Sequence, residues 1–357
     1  MSQTPPNVFD YPKLLTAPVR RAAYSDRTAW LMASMSELAY WPHEGGDKIV
    51  DVVADLVVAA RGDDKKTKDE TEAAKDVKKR LAKYLKTMGN SAKENRAALK
   101  KCLDEAGFVL DNTYNVSETQ GFLCHRPGNA QHGGMRVLAF RGTEGNLKDI
   151  KTDLRATLVP ADGGDGSQLV HEGFQESFNN VKALIEADLK KMPELPLYIG
   201  GHSLGGGLSI VATWNIAANS LGACYTFGGP RVGNQVLADK FKTPIYRVVN
   251  CSDIVPRVPP AWVFALITFL GYLPVPLGWL MGILSRWSGY VHFGDMRFLP
   301  DVKEGKEQTL LSNPSGLTRA FLVVPKWINT FGKSGADDHS ISLYRLKLKD
   351  YATRQNT

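Results

Sequence analysis

Residues 201–205 read Gly-His-Ser-Leu-Gly. One hydroxyl stands between two glycines, after an apolar run (Leu197, Tyr198, Ile199) and before a helical stretch from Gly206 to Ser220. In that context G-x-S-x-G describes a tight strand-to-helix turn that lifts a serine Oγ into solvent at the carboxyl edge of a sheet. The flanking glycines let neighbouring backbone pass without a Cβ clash. The N–H of Leu204, at the start of the helix, can donate to a developing oxyanion. The chemistry this arrangement suits is nucleophilic attack by Ser203 on an acyl group.

A serine hydroxyl needs a base, and the base needs an orienting acid. With the chain order Ser, acid, His that goes with this turn, two of the seven histidines are available, because only His292 and His339 follow Ser203. His339 lies in the polar segment Gly-Ala-Asp-Asp-His-Ser, ahead of a helix-like run containing Ile341, Leu343, Tyr344 and Leu346. His292 lies in Gly-Tyr-Val-His-Phe-Gly, a setting that reads as a strand residue with a satisfied ring. A base on a loop is free to reach the serine, which favours His339. The acid candidate is Asp253, just after the apolar run Ile245 to Asn250 and before Ile-Val-Pro-Arg. Asp337 and Asp338 are closer in sequence to His339, but such neighbours are better placed to cap the following helix. A second oxyanion donor should come from a loop after an earlier strand. Val137-Leu-Ala-Phe-Arg-Gly-Thr143 offers the N–H of Thr143, and its hydroxyl besides.

These residues require a scaffold. Short β-like runs occur at Phe108–Leu110, Gly121–Cys124, Val137–Phe140, Leu197–Ile199, Cys224–Phe227 and Ile245–Asn250. Helical patterns fall between the later ones, at 174–192, 205–220 and 233–242, and an amphipathic helix is expected over 27–41. Strands alternating with helices of this length predict an α/β fold, a mostly parallel central sheet with helices on both faces. The 357 residues suffice for a single domain, 1–357, with two insertions.

The first insertion is a charged helical hairpin at 61–106. Val77, Leu81, Tyr84, Leu85 and Met88 make one narrow apolar stripe, Gly89-Asn90 breaks it, and Ser91 with Glu94 forms a capping box for the second arm. Residues 61–101 hold 14 Lys/Arg and 7 Asp/Glu, so this segment carries the whole net charge of +7. A local basic feature of this kind argues against a nucleic-acid partner; it reads as a solvated edge or as a contact for anionic lipid head groups. The second insertion is an apolar segment at 260–287. Residues 258–285 have no charged side chain, and they include Trp262, Phe264, Phe269, Trp279 and Met281. A single bilayer span there would tend to separate Asp253 from His339, and Gly271, Pro274, Pro276 and Gly278 interrupt the run. Two short arms forming a cap over the site or entering a lipid surface fit better, with a buried helical pair or an oligomer contact as the alternative.

Four cysteines, Cys102, Cys124, Cys224 and Cys251, form no CxxC pair and suggest neither a metal site nor a disulfide framework. Met1 to Leu15 lacks a basic stretch followed by an apolar run, so a cytoplasmic protein, or one exported without a cleaved signal peptide, is expected.

Taken in order, Phe140-Arg-Gly-Thr143, Val170-His-Glu-Gly-Phe174, Gly201-His-Ser-Leu-Gly-Gly206, Gly229-Pro-Arg-Val-Gly-Asn234, Asp253-Ile-Val-Pro-Arg-Val-Pro259 and Asp338-His339 resemble the class-three lipase family, the filamentous-fungal type of triacylglycerol lipase. The resemblance covers roughly residues 107–256 and 289–345. It implies an α/β-hydrolase fold, a Ser203–Asp253–His339 triad, an oxyanion hole from Thr143 and Leu204, and an oxyanion-orienting role for Asp153. It implies no metal or organic cofactor. The chain departs from the family in two places. Residues 144–152, where a lid helix belongs, offer only Leu147 and Ile150 as apolar surface, and the apolar insertion falls where the family is usually short. The implied activity is hydrolysis of lipid carboxylic esters through an acyl-enzyme on Ser203, at a membrane or lipid-droplet surface reached through 260–287. The rivals are a phospholipase A acting on membrane lipids, a soluble-substrate esterase, and a catalytically inert membrane-binding protein.

Overall fold

The computed structural model describes residues 5–16, 23–41, 92–117, 119–129, 132–142, 157–217, 222–258, 289–302, 306–329 and 334–355. The first arm of the 61–106 hairpin, its Ser91 cap and the 260–287 insertion lie outside the described residues.

In chain order the described α-helices and strands begin, after a 3-10 turn at Pro12–Leu15, with helix α1 (Asp26–Leu38), helix α2 (92–105) and strands β1 (Val109–Val116), β2 (Thr119–Arg126) and β3 (Met135–Phe140). A short ribbon follows, β4 (Leu158–Pro160) and β5 (Leu169–His171), then α3 (Glu172–Leu189), β6 (Leu197–His202), α4 (Leu204–Ile216) and β7 (Cys224–Phe227). The chain continues through α5 (Gln235–Ala238), β8 (Ile245–Asn250), β9 (Asp295–Leu299), β10 (Leu311–Ser312), α6 (Gly316–Asn329), α7 (Ser334–Asp337) and α8 (Ile341–Gln355).

Eight strands make one sheet in the order β1-β2-β3-β6-β7-β8-β9-β10. The centre, from β3 to β9, is parallel, and both ends are closed by antiparallel pairs. This is the expected mostly parallel α/β sheet. Alternation along the strands explains how both faces are covered. Val137 and Ala139 of β3 pack with Trp30, Met32 and Tyr344 in one core, which places α1 and α8 on that face. Leu138 and Phe140 pack with Phe174, Phe178, Leu208 and Val211 in the other, which places α3 and α4 opposite. Fully buried side chains such as Phe178 and Phe140 each contribute about 1.5–3 kcal/mol of transfer free energy. Ser25 caps α1, its side chain accepting from the N–H of Thr28.

Several elements differ from the sequence expectation. The 233–242 helix is a single turn, Gln235–Ala238, because Phe241 already bonds back only three residues and Thr243 precedes Pro244, which disfavours helix. β4, β5 and β10 are too short to show a period. β9 carries Asp295 and Arg297 and reads as polar, and the sequence reading assigned no helix to α6.

Candidate functional site

Ser203 follows β6 with φ 58° and ψ −129°. A side chain at positive φ is strained, and such strain is held only where the surroundings over-determine it. Here the fixing contacts are backbone ones. The N–H of Ser203 donates to the Phe227 carbonyl of the next strand, and a Cβ on Gly201 would lie 2.3 Å from the Gly205 carbonyl oxygen. The glycine before the serine is therefore obligatory for the turn to close. Gly142, at the end of β3, comes against the same turn, with its Cβ position 3.1 Å from the Ser203 Cβ.

Asp253 follows β8, with no exposed surface, and His339 sits between α7 and α8. The structure brings the three together. His339 Nε2 lies 2.9 Å from Ser203 Oγ, and His339 Nδ1 lies 2.9 Å and 3.0 Å from the two carboxylate oxygens of Asp253. A carboxylate only accepts, so Nδ1 carries the proton and Nε2 is left to accept from the serine hydroxyl. His292 is elsewhere: it lies just before β9 rather than in a strand, and its Nε2 donates to the Pro256 carbonyl at 2.6 Å. Ser203 is only 1% exposed. That differs from the solvent-facing hydroxyl expected of the turn, because His339 and the Gly142 backbone close around it.

Asp253 is held by more than His339. The Tyr344 hydroxyl, buried on α8, donates to Asp253 Oδ2 at 2.5 Å, and the Val255 N–H donates to Oδ1 at 2.9 Å. Tyr344 in turn accepts from the Asn250 N–H at 2.9 Å. Burial, then the Asp253 charge, pushes the Tyr344 phenol well above its ordinary pKa, so it stays a donor. Asp338 does not act as the expected cap for α8. Its Oδ2 accepts from the Ser252 N–H at 2.8 Å, and Lys326 lies 2.8 Å from both of its oxygens. It thereby ties the base segment to the acid segment. Asp337 is exposed at the end of α7.

His202, beside the nucleophile, is buried, and its ring stacks on His339 with centroids 4.4 Å apart. Its Nε2 donates to the His339 carbonyl at 2.6 Å and its Nδ1 accepts from the Tyr40 hydroxyl at 2.7 Å. Burial, then the neighbouring His339, keeps it well below the usual histidine pKa and neutral. Tyr40, His202, Asn250, Asp338 and Tyr344 were not assigned site roles from sequence. Each acts through partners distant in the chain, so no local spacing marks it.

The N–H of Leu204 opens α4, where the first helical N–H groups lack intrahelical acceptors. Thr143, Asp153 and residues 144–152 lie outside the described residues. Among the described residues no group of three His, Cys, Asp or Glu side chains is arranged to hold a metal, and all four cysteines are free thiols.

Residues 137–262 match the family model described as lipase (class 3). It is over this segment that the chain is similar to the class 3 lipase family. The segment holds the strained serine and the acid. The histidine lies beyond it in sequence and returns to it in space. Lipase A of Sodiomyces alcalophilus is 30% identical over 219 residues, covering 46% of this chain and 52% of that protein. Secreted mono- and diacylglycerol lipase 2 of Gibberella zeae is 30% identical over 210 residues, 44% of this chain and 51% of that one. The chain thus spans about half the length of these curated relatives. A solved Rhizomucor miehei lipase–propeptide complex aligns with 60% of this chain and 61% of its own at 21% identity and a TM-score of 0.46.

Proposed function

We propose that this class 3 lipase-like chain hydrolyses lipid carboxylic esters by two-step acyl transfer. The reading rests on one observation above all: Ser203 Oγ, held at positive φ, lies 2.9 Å from a histidine nitrogen whose other nitrogen is bound to a buried aspartate. In this reading Ser203 attacks the ester carbonyl as His339 takes its proton. Asp253 fixes the imidazole tautomer and stabilises the imidazolium. The alcohol leaves with the proton from His339, and water repeats the sequence on the acyl-enzyme. The Leu204 N–H and Thr143 supply the oxyanion donors, with Asp153 orienting Thr143. Residues 260–287, uncharged from 260 to 285, make contact with the lipid surface.

The test is hydrolysis rate against concentration for an emulsified medium-chain triglyceride and for dispersed phosphatidylcholine, with Ser203→Ala as control. A rate that climbs above the triglyceride solubility limit supports an interfacial lipase. Preference for phosphatidylcholine moves the substrate to membrane phospholipid. The absence of a Ser203-dependent rate on either sinks the lipid ester reading.

A further inference from the structure

The face of β8 that carries Arg247, Val249 and Cys251 leads to a region the ester chemistry does not use. Val249 and Cys251 pack with Met296, Phe298 and Val323. Residues i, i+2 and i+4 of a strand share a face, so Arg247 points the same way, under α6. Arg319 lies one turn before Val323 on α6 and shares its inward face. Two further arginines arrive from loops. Arg231 Nη1 donates to the Arg257 carbonyl at 2.9 Å, and Arg257 Nη2 donates to the Cys251 carbonyl at 3.4 Å. His292 joins them through the Pro256 carbonyl.

These groups feel one another. Arg247 falls to about 10 through burial, then the charges of Arg319 and Arg231, against a weaker opposing pull from Asp295. Arg231 also falls to about 10, through burial and then Arg319. His292 is pressed well below its usual value by burial, then by Arg247, Arg231 and Arg319. Asp295 acts on Arg247, and Asp253, already committed to His339, acts on Arg257.

The hydrogen bonds do not close either. Nε and Nη1 of Arg247 and Nε of Arg319 are buried without a hydrogen-bond partner among the described residues. A buried, unpaired guanidinium N–H is costly, and charged groups cost more than neutral ones. Forked guanidinium donors suit a tetrahedral oxyanion, which can accept from several arginines together. Arg257 is exposed, so the cluster reaches the surface.

We propose that Arg247 and Arg319, with Arg231, Arg257 and His292 around them, form a binding site for a phosphate group. The buried Nε and Nη1 of Arg247 and Nε of Arg319 donate to its oxygens. The site uses none of Ser203, Asp253 and His339, and it stands whether or not the ester chemistry does.

The test uses the full chain and inorganic phosphate. Thermal unfolding is followed in phosphate and in chloride at equal ionic strength. The expected result is a Tm that rises by about 2 °C for each tenfold increase in phosphate above its dissociation constant, and loss of that rise in Arg319→Met. An identical Tm in the two salts, or an undiminished rise in Arg319→Met, overturns the proposal. Should Arg319→Met not fold, phosphorus NMR line broadening of inorganic phosphate by the wild-type chain decides instead. Broadening supports the site, and free-phosphate linewidths overturn it. Co-sedimentation with phosphatidylcholine vesicles, with and without phosphatidic acid, then separates the sources. Phosphatidic acid-dependent binding that inorganic phosphate displaces identifies a lipid head group. A phosphate-dependent Tm rise with no preference for phosphatidic acid identifies a soluble phosphate ligand.

Discussion

The two ends of the β8–α6 region treat buried charged groups in opposite ways, although the hydroxyl of Ser252 in the acid loop is itself buried without a hydrogen-bond partner among the described residues. At the acid loop each carboxylate oxygen of Asp253 has donors: His339 and Tyr344 at Oδ2, His339 and the Val255 N–H at Oδ1. At the other end, buried N–H groups of Arg247 and Arg319 have no acceptor among the described residues. A polar network with every member satisfied holds one geometry, and removing a member leaves a buried group orphaned. A network left open costs stability until something fills it. The first pattern suits a pre-organised catalytic constellation, the second a receptor for a ligand.

The largest effect that sharpens this contrast is at the closed end. Ser203→Ala should lower kcat by about 10⁴-fold or more, leaving only binding and oxyanion stabilisation, with circular dichroism unchanged. Steady-state kinetics on any accepted ester checks it. Next comes Gly228→Ala. Gly228 has φ +60°, and a Cβ there would meet Asp253 Oδ2 at 2.5 Å and His339 Nδ1 at 3.0 Å. Displacing that pair should cost about 10²-fold in kcat, and a variant with wild-type kcat would break the claim that this geometry is tightly held. Tyr344→Phe removes one donor to the acid and orphans the Asn250 N–H. It should reduce kcat about tenfold with KM unchanged and destabilise the fold by about 1–3 kcal/mol. Arg319→Met, in phosphate-free buffer, should leave Tm unchanged or raise it, since it removes a buried unsatisfied charge. A comparable loss of stability in both variants would erase the distinction between the two ends.

His171 belongs with the open pattern, since neither ring nitrogen has a hydrogen-bond partner among the described residues and burial lowers its pKa to about 4. The unfolded chain, with an ordinary histidine pKa near ~6.5, binds a proton that the native state refuses between those values. Native stability contributed by keeping His171 neutral is therefore present above about pH 6.5 and lost as pH falls toward 4, by about 3 kcal/mol in all. His202 and His292 act in the same direction. His171→Phe should flatten part of this slope in denaturant titrations between pH 4 and 7, and an unaltered slope would show that His171 is not its source.

The turn that carries Ser203 was legible in sequence because strand, glycine, serine and helix are contiguous, and the chain order of Ser203, Asp253 and His339 singled out residues that the structure brings together. The groups that hold them were not legible: Tyr344 reads as one more apolar position of an amphipathic helix, and its contact with Asp253 exists only once α8 packs on the sheet. His202 likewise reads as the variable position of the motif, although it links Tyr40 to the base segment. Asp338 looked like a helix cap because its neighbours in sequence suggest one, while Lys326 and the Ser252 N–H claim it in space. The β9 strand was hidden by its charged residues and the ribbon β4–β5 by its length. The arginine cluster collects residues from strand β8, from the segments around Arg231, Arg257 and His292, and from helix α6, and no local pattern announces that convergence.

The most direct test of the central claim is covalent labelling with a fluorophosphonate, read by intact mass and peptide mapping. A single adduct on Ser203, absent in Ser203→Ala and formed far more slowly in His339→Gln, is the result the triad account predicts. No adduct on the folded wild-type chain, or an adduct on another residue, would contradict it.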